Sequence, residues 1–168
     1  FHIFFVDDCS TDESLSVLAK IPQEKYTLIQ LKEQSGIVGA LNSGLKMIES
    51  KYVVRMDGDD YCDLKRFEKL VKFLDENEAY GICGSAIQTF GLREELQVYP
   101  ADAELNHANL IFTHTIGHAT SIFRTSILKE NGIEYLDEFY RLEDYHLFYR
   151  LKDLALMTSI PDALYFYR

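Results

Sequence analysis

Residues 3–6 form a short apolar run that stops abruptly at Asp7-Asp8, the pattern of a buried strand delivering polar residues to the rim of a sheet. Ser10-Thr11-Asp12-Glu13 follows with the S-x-x-E form of a capping box, and Leu15, Leu18 and Ala19 supply a helical stripe behind it. Pro22 closes that helix. Residues 26–31 read as a second strand, and a helix reaching about residue 50 turns Ala40, Leu41, Leu45 and Ile48 inward. Residues 52–56 are a third strand, and it too ends in acids: Asp57, Asp59 and Asp60. Leu64, Phe67, Leu70, Val71 and Leu74 give the next helical stripe, and residues 81–86 return as a buried strand. This alternation predicts an α/β fold with a mostly parallel central sheet flanked by helices, and places ligands at the carboxyl ends of the strands. Both acid clusters lie at such ends.

The second half is less regular. Residues 92–102 read as a loop or edge ribbon, 103–112 as a helix, 118–123 as a strand running into Arg124, and 125–131 as a helix stopped by Gly132. Glu143 then opens a helix with Leu147, Phe148 and Leu151 on one face, and residues 156–160 and 163–167 finish as strands. No repeat or linker interrupts the 168 residues, and 47% hydrophobic content suits one domain burying roughly two-thirds of its unfolded surface. The opening run FHIFFV has no start signal ahead of it, so the chain is expected to begin inside a domain.

Charge narrows the function. Seventeen Lys and Arg against 27 Asp and Glu give a net charge of −10, which repels phosphate backbones, so nucleic-acid binding is not expected. No apolar run approaches the ~20 residues of a membrane span, and no signal peptide opens the chain, so a soluble protein is expected. Cys9, Cys62 and Cys83 are odd in number and widely spaced, as in a reducing compartment.

Asp57, Asp59 and Asp60 place three carboxylates within four residues, an arrangement that a shared cation relieves. Hard oxygen ligands suit Mg²⁺ or Mn²⁺, which also take phosphate oxygens, so the cluster points to a phosphorylated or nucleotide ligand. At the first strand end, Asp8 is the choice for the pocket, accepting from a nucleobase or ribose, while Asp7 braces the loop. Glu143-Asp144 stands at a helix start, where the dipole stabilises an ionised base able to take a proton from an attacking hydroxyl. His114 and His118 have i,i+4 spacing, but Gly117 breaks a helix there and no HExxH is present, so a zinc site is not expected. No P-loop and no GxGxxG follows a strand.

Taken together, VDDCSTDES (6–14), SGIVGALNSGL (35–45), YVVRMDGDD (52–60), HATSIFRTSIL (118–128) and LEDYHLFYRL (142–151) resemble the family 2 glycosyltransferases in order and spacing. The resemblance covers nearly the whole chain. It implies a GT-A fold, with a nucleotide-sugar-binding half over residues 1–90 and an acceptor-binding half over 91–168. It also implies inverting transfer of a sugar, commonly from a UDP-linked donor, to a saccharide or lipid-linked hydroxyl acceptor in cell-surface polysaccharide or glycoconjugate synthesis.

Carried over by motif, Asp8 resembles the nucleobase-contacting acid, with Asp7 beside it, and Asp57 and Asp59 resemble the DxD pair holding ribose, metal and diphosphate. Asp60 is an accessory acid. Asp144 resembles the catalytic base and Glu143 its neighbour near the acceptor, while His118 and Arg124 match a segment lining the pocket. The family's first strand is missing from the pattern, which suggests truncation at the N-terminus. A cytoplasmic location is implied, with room for peripheral membrane association of a longer protein. Two other readings are an aspartyl-phosphate phosphohydrolase of the haloacid-dehalogenase type, although Tyr61 stands where that class has Thr or Val, and a non-catalytic nucleotide- or metal-binding module.

Overall fold

The computed structural model describes residues 1–168, which divide into two compact units. The first comprises Phe1–Glu49 with Glu134–Glu143, and the second comprises Ser50–Ile133 with Asp144–Arg168.

In the first unit, β1 (Ile3–Asp7) pairs in parallel with β2 (Tyr26–Gln30), in register from Ile3 opposite Tyr26 to Asp7 opposite Gln30. The connection between them is short and weakly helical: α1 (Ser14–Leu18) has five residues and buries none of them. The expected capping box does not form, because Ser10 belongs to the turn after β1, where its N–H donates to the Asp7 carboxylate at 3.1 Å. Asp12 instead accepts from the Ser14 N–H at 2.9 Å. Helix α2 (Gly36–Met47) packs on β1, with Gly44 lying close against Val6. Asn42 of α2 clasps the returning segment, donating to the Tyr135 carbonyl at 2.8 Å and accepting from its N–H at 2.9 Å.

The second unit is built on a six-stranded sheet. β3 (Tyr52–Val54), β7 (Ile122–Arg124), β5 (Tyr80–Thr89), β8 (Leu156–Tyr167) and β4 (Tyr61–Cys62) lie in that order, and β6 (Leu96–Gln97) pairs with the far end of β5. β5 and β8 run parallel, whereas the pairings β3 with β7, β4 with β8, β5 with β6 and β5 with β7 are antiparallel. The parallel pairing expected of the sheet thus holds for β1 with β2 and for β5 with β8. Elsewhere β7, from the less regular half, inserts between β3 and β5 and reverses the direction. Because β5 and β8 pair along their lengths, the second unit spans residue 90 and does not divide there.

β8 joins the two strands expected separately. Ser85 faces Ile160 and the next pair is Ala86 with Ala163, so Pro161 and Asp162 bulge out of the ladder. Proline has no N–H to give to a ladder, which explains the position of the bulge. Asp162 there takes an ion pair from Lys69 of α3 (Arg66–Glu76).

Helix α3 covers the sheet with Leu70 and Leu74, which pack with Cys83, Ile122 and Leu164. Burial pushes the Cys83 thiol up to about 12, so it serves as a small apolar side chain. α4 (Ala103–Asn109) is N-capped by Asp102, which accepts from the Leu105 N–H at 2.8 Å. α5 (Thr125–Glu130) stops before Gly132, whose φ of +58° is the left-handed turn glycine allows. α6 (Glu143–Leu151) buries Leu147, Phe148 and Leu151. No helix is long and apolar enough to cross a membrane.

Candidate active site

The end of β1 carries Asp7 and Asp8 into a turn in which Cys9 takes a left-handed φ of 63°, uncommon for a residue with a side chain. Asp7 braces that turn through Ser10. Asp8 reaches across to α2: one carboxylate oxygen accepts from the Ser35 N–H at 2.7 Å and from its hydroxyl at 3.2 Å, and the other accepts from the Gly36 N–H at 2.8 Å. Gly36 has φ +68°, a conformation that glycine adopts without strain. An anion at the N-terminus of a twelve-residue helix satisfies orphan N–H groups and the dipole together. A carboxylate offers about four acceptor directions, so three donors leave Asp8 about one for a ligand.

In the second unit, the acidic turn after β3 is fastened at both ends. Asp57 makes an ion pair with Arg55, and its N–H donates to the Tyr165 hydroxyl at 3.2 Å. Burial pushes the Asp57 carboxyl above the usual carboxylate range; Arg55 opposes that rise, and the charges of Asp60 and Asp59 add to it. Asp60 accepts from the Tyr165 hydroxyl at 2.6 Å and from the Arg168 N–H at 3.0 Å. Burial, followed by the bond to Asp60, also raises the Tyr165 phenol above its ordinary pKa. Asp59, between them, is exposed and makes no hydrogen bond or ion pair with the protein.

This arrangement fits a hard divalent cation. Mg²⁺ or Mn²⁺ needs only one or two carboxylates when phosphate oxygens and water complete the shell, and Asp59 with the remaining oxygen of Asp57 can supply them. No group of three or more metal-ligating side chains is assembled in the protein, so the turn alone is no closed metal cage.

Asp144, in the first turn of α6, accepts from the Tyr145 N–H at 2.7 Å through one oxygen and places the other 4.0 Å from His114 Nδ1. Its negative charge adds to the burial that pushes the Tyr99 phenol up to about 12. His118 lies in a 3₁₀ turn, His118–Thr120, and not in the strand expected there. Burial first, then cationic Arg55 and neighbouring His114, push its imidazole down to about 3. Arg55, His118 and His114 thus form a connected electrostatic neighbourhood between the acidic turn and Asp144. Glu143, which belongs to the first unit, is buried and leaves Oε2 without a hydrogen-bond partner.

Arg124 requires a correction. It was expected to line the pocket, but its Nε donates to the Tyr80 carbonyl at 2.8 Å and its Nη2 to Leu74 and Asn77 carbonyls at 2.5 and 3.3 Å. Its guanidinium closes the C-terminal end of α3, where a cation satisfies orphan carbonyls and the dipole.

Sequence reasoning missed Arg55, His114, Tyr99, Arg66 and Tyr165. Arg55 had a signal, since residues two apart in an extended segment share a face and this places it beside Asp57. The only sequence signal at His114 is its i,i+4 spacing to His118, which bears on zinc and not on Asp144. Tyr165 is 108 residues from Asp57 and had no local signal.

The low pKa of His118 has a measurable consequence. The unfolded chain protonates this group near 6.5 and the folded chain only near 3, so its contribution is full above about pH 6.5 and falls as pH drops below that. The slope reaches about 1.4 kcal/mol per pH unit. Urea midpoints should therefore fall between pH 6.5 and 5, and His118→Gln should flatten that fall; an unchanged slope would refute the assignment.

A protein-family model described as glycosyl transferase family 2 matches residues 1–132. The chain belongs to that family. The matched span contains every candidate read from the sequence except Glu143 and Asp144, which lie beyond it. Among its relatives, the poly(ribitol-phosphate) beta-N-acetylglucosaminyltransferase TarS of Staphylococcus aureus is 29% identical over 86% of this chain and 26% of its own length. The amylovoran biosynthesis glycosyltransferase AmsE of Erwinia amylovora is 28% identical over 97% of this chain and 62% of its own length. The chain therefore spans less than two-thirds of either relative. The crystal structure of S. aureus TarS 1–349 in complex with UDP superposes with a TM-score of 0.83 at 26% identity, covering 99% of this chain and 50% of that one. The family 2 chain thus has the GT-A fold implied by its motifs.

Proposed function

We propose that this chain carries the catalytic machinery of an inverting glycosyltransferase that uses Mg²⁺ or Mn²⁺ and moves a sugar from a UDP-linked donor to a hydroxyl on a saccharide or lipid-linked acceptor. The biological setting is surface polysaccharide or glycoconjugate assembly. Family membership and the GT-A fold support the reaction class, and the UDP held by the TarS neighbour supports the donor. The observation that carries the reading is the acidic turn, in which Asp57 and Asp60 are fixed by protein partners while Asp59 stands exposed between them.

Each residue has a definable task. Asp8 offers its remaining acceptor direction to a nucleobase N–H, and Asp7 holds the turn that presents it. Asp59 and Asp57 would hold the cation, which when bound offsets charge on the departing diphosphate. Asp144 takes the proton of the acceptor hydroxyl on the oxygen that faces His114 as that hydroxyl's oxygen bonds to the anomeric carbon and the bond to the diphosphate breaks. The proton then resides on Asp144 and UDP leaves with the bonding pair. His118, kept neutral, packs edge-on against Phe148 and supports the pocket wall. No covalent intermediate is required, in keeping with the lack of an activated Ser or Cys nucleophile.

A melting experiment tests the donor and metal assignments together. A ligand at 100 times its Kd adds about 2.7 kcal/mol, which raises Tm by roughly 5–10 °C for a chain of this size. Mn²⁺ with UDP should produce such a rise, and Asp59→Ala should remove it. A rise that survives the substitution would overturn the assignment of Asp59.

A further inference from the structure

Tyr165 is fully buried on β8, between β4 and β5, opposite Cys62 of β4 and Ile87 of β5. A phenylalanine would meet the packing requirement at such an interior position. The hydroxyl does something more specific, because it joins the two ends of the acidic turn. It accepts from the Asp57 N–H at 3.2 Å and donates to the Asp60 carboxylate at 2.6 Å. A buried phenol needs a partner, and here both partners belong to the same four-residue turn.

Beneath this junction lies Arg66, the first residue of α3, with no exposed surface. Its guanidinium sits 4.9 Å from the Tyr165 ring centroid. Its Nη2 donates to the Arg55 carbonyl at 2.9 Å and to the Ala119 carbonyl at 2.6 Å. A cation at a helix N-terminus opposes the dipole, and no carboxylate ion pair offsets its burial. Arg66 therefore holds the segment before Asp57 and the turn after His118 while its flat face fixes the Tyr165 ring. The hydroxyl has little freedom to move, and so neither does the turn.

The electrostatic result follows from the same contacts. Three carboxylates in one turn would compete for space and field, but both oxygens of Asp60 are bound to β8 or its end, through Tyr165 and the Arg168 N–H. Asp60 thereby has both oxygens engaged by the protein, whereas Asp59 has neither. The backbone at Asp57 is pinned by the same hydroxyl.

We propose that Tyr165 is the positioning residue of the cation-holding turn: its hydroxyl, fixed by Arg66, sets the spacing of Asp57, Asp59 and Asp60 so that Asp57 and Asp59 receive a divalent cation together with a nucleoside diphosphate. This rests on the reading of Asp57 and Asp59 as cation ligands. Groups that orient metal ligands from behind change metal affinity by about 10–100-fold when removed. Tyr165 acts in that way without touching the metal.

The test is a Mn²⁺ titration of the chain, with and without UDP, following free Mn²⁺ by electron paramagnetic resonance. Tyr165→Phe keeps the ring against Arg66 and should weaken Mn²⁺ binding by about 10–100-fold, and excess Mn²⁺ should restore UDP binding. A merely structural loss would instead lower the melting temperature of the variant in the absence of metal and UDP. Asp60→Ala removes the acceptor while keeping the tyrosine and should weaken binding in the same range, which preserves the test if the phenylalanine variant does not fold. Asp59→Ala separates the two levels. If it abolishes binding while Tyr165→Phe and Asp60→Ala bind within threefold of the unaltered chain, the positioning role is overturned alone. If Asp59→Ala binds Mn²⁺ as tightly as the unaltered chain, the reading of the turn itself fails and takes the positioning role with it.

Discussion

Replacing Asp144 by Asn should reduce sugar transfer by about 10³-fold while leaving UDP affinity within twofold, since a positioned general base contributes 10²–10⁴-fold to such a step. The substitution is nearly isosteric. The amide oxygen of Asn can still accept from the Tyr145 N–H, so the first turn of α6 keeps its bond. What disappears is the anionic oxygen facing His114 at 4.0 Å, the one proposed to take the acceptor's proton. The loss should therefore fall on kcat and not on donor binding, which the proposed function assigns to other residues. Release of UDP from a UDP-sugar and acceptor, beside calorimetric UDP binding, measures both quantities. Transfer kept within tenfold would remove Asp144 from the role of base. Transfer absent in the unaltered chain, with UDP still bound, would favour the non-catalytic module over the enzyme.

The phosphohydrolase reading fares worse. It makes Asp57 a nucleophile, yet one Asp57 oxygen is paired with Arg55 and the backbone is tied to Tyr165. Family membership points the same way.

The strand ends were legible because their signals are local. An apolar run broken by paired acids places Asp7, Asp8 and Asp57–Asp60 at the carboxyl ends of β1 and β3 without any knowledge of tertiary packing. Helix α3 was legible for the same reason, since its stripe of Leu70 and Leu74 repeats within one element. Sheet order was not legible. Whether β3 neighbours β5 or β7 depends on pairing between residues some 70 positions apart, as Val53 with Phe123, and period-2 patterns do not encode partners. Arg124 misled for a related reason. The segment from His118 to Arg124 matches a family motif that implies a shared pocket, but His118 is in a 3₁₀ turn and Arg124 at a strand end, and the arginine side chain goes to the carbonyls of α3. The partners of Asp60 were hidden too, since Tyr165 and Arg168 reach it from the other end of the chain.

Arg66→Ala should lower the unfolding free energy by about 3–5 kcal/mol, the other large effect expected in this chain. Two costs combine. Removing the guanidinium leaves the Arg55 and Ala119 carbonyls without the donor that reaches them at 2.9 and 2.6 Å, and an unpaired buried acceptor costs about 1–3 kcal/mol. Truncating a side chain with no exposed surface also leaves a cavity against the Tyr165 ring. Arg66→Met separates the terms, because an unbranched apolar chain fills most of the volume but pairs neither carbonyl. It should recover the cavity term and retain the other, falling between the alanine variant and the unaltered chain in urea midpoint. Arg66→Lys retains a cation but has a single compact ammonium in place of the flat fork, so it should lose the grip on Tyr165 even where its charge is tolerated. If Arg66→Ala costs less than about 0.5 kcal/mol, within the range of an ordinary surface substitution, the buried arginine does not hold the acidic turn. If methionine matches the unaltered chain, the two carbonyl bonds contribute nothing net, and packing alone explains why an arginine lies buried at the positive end of a helix.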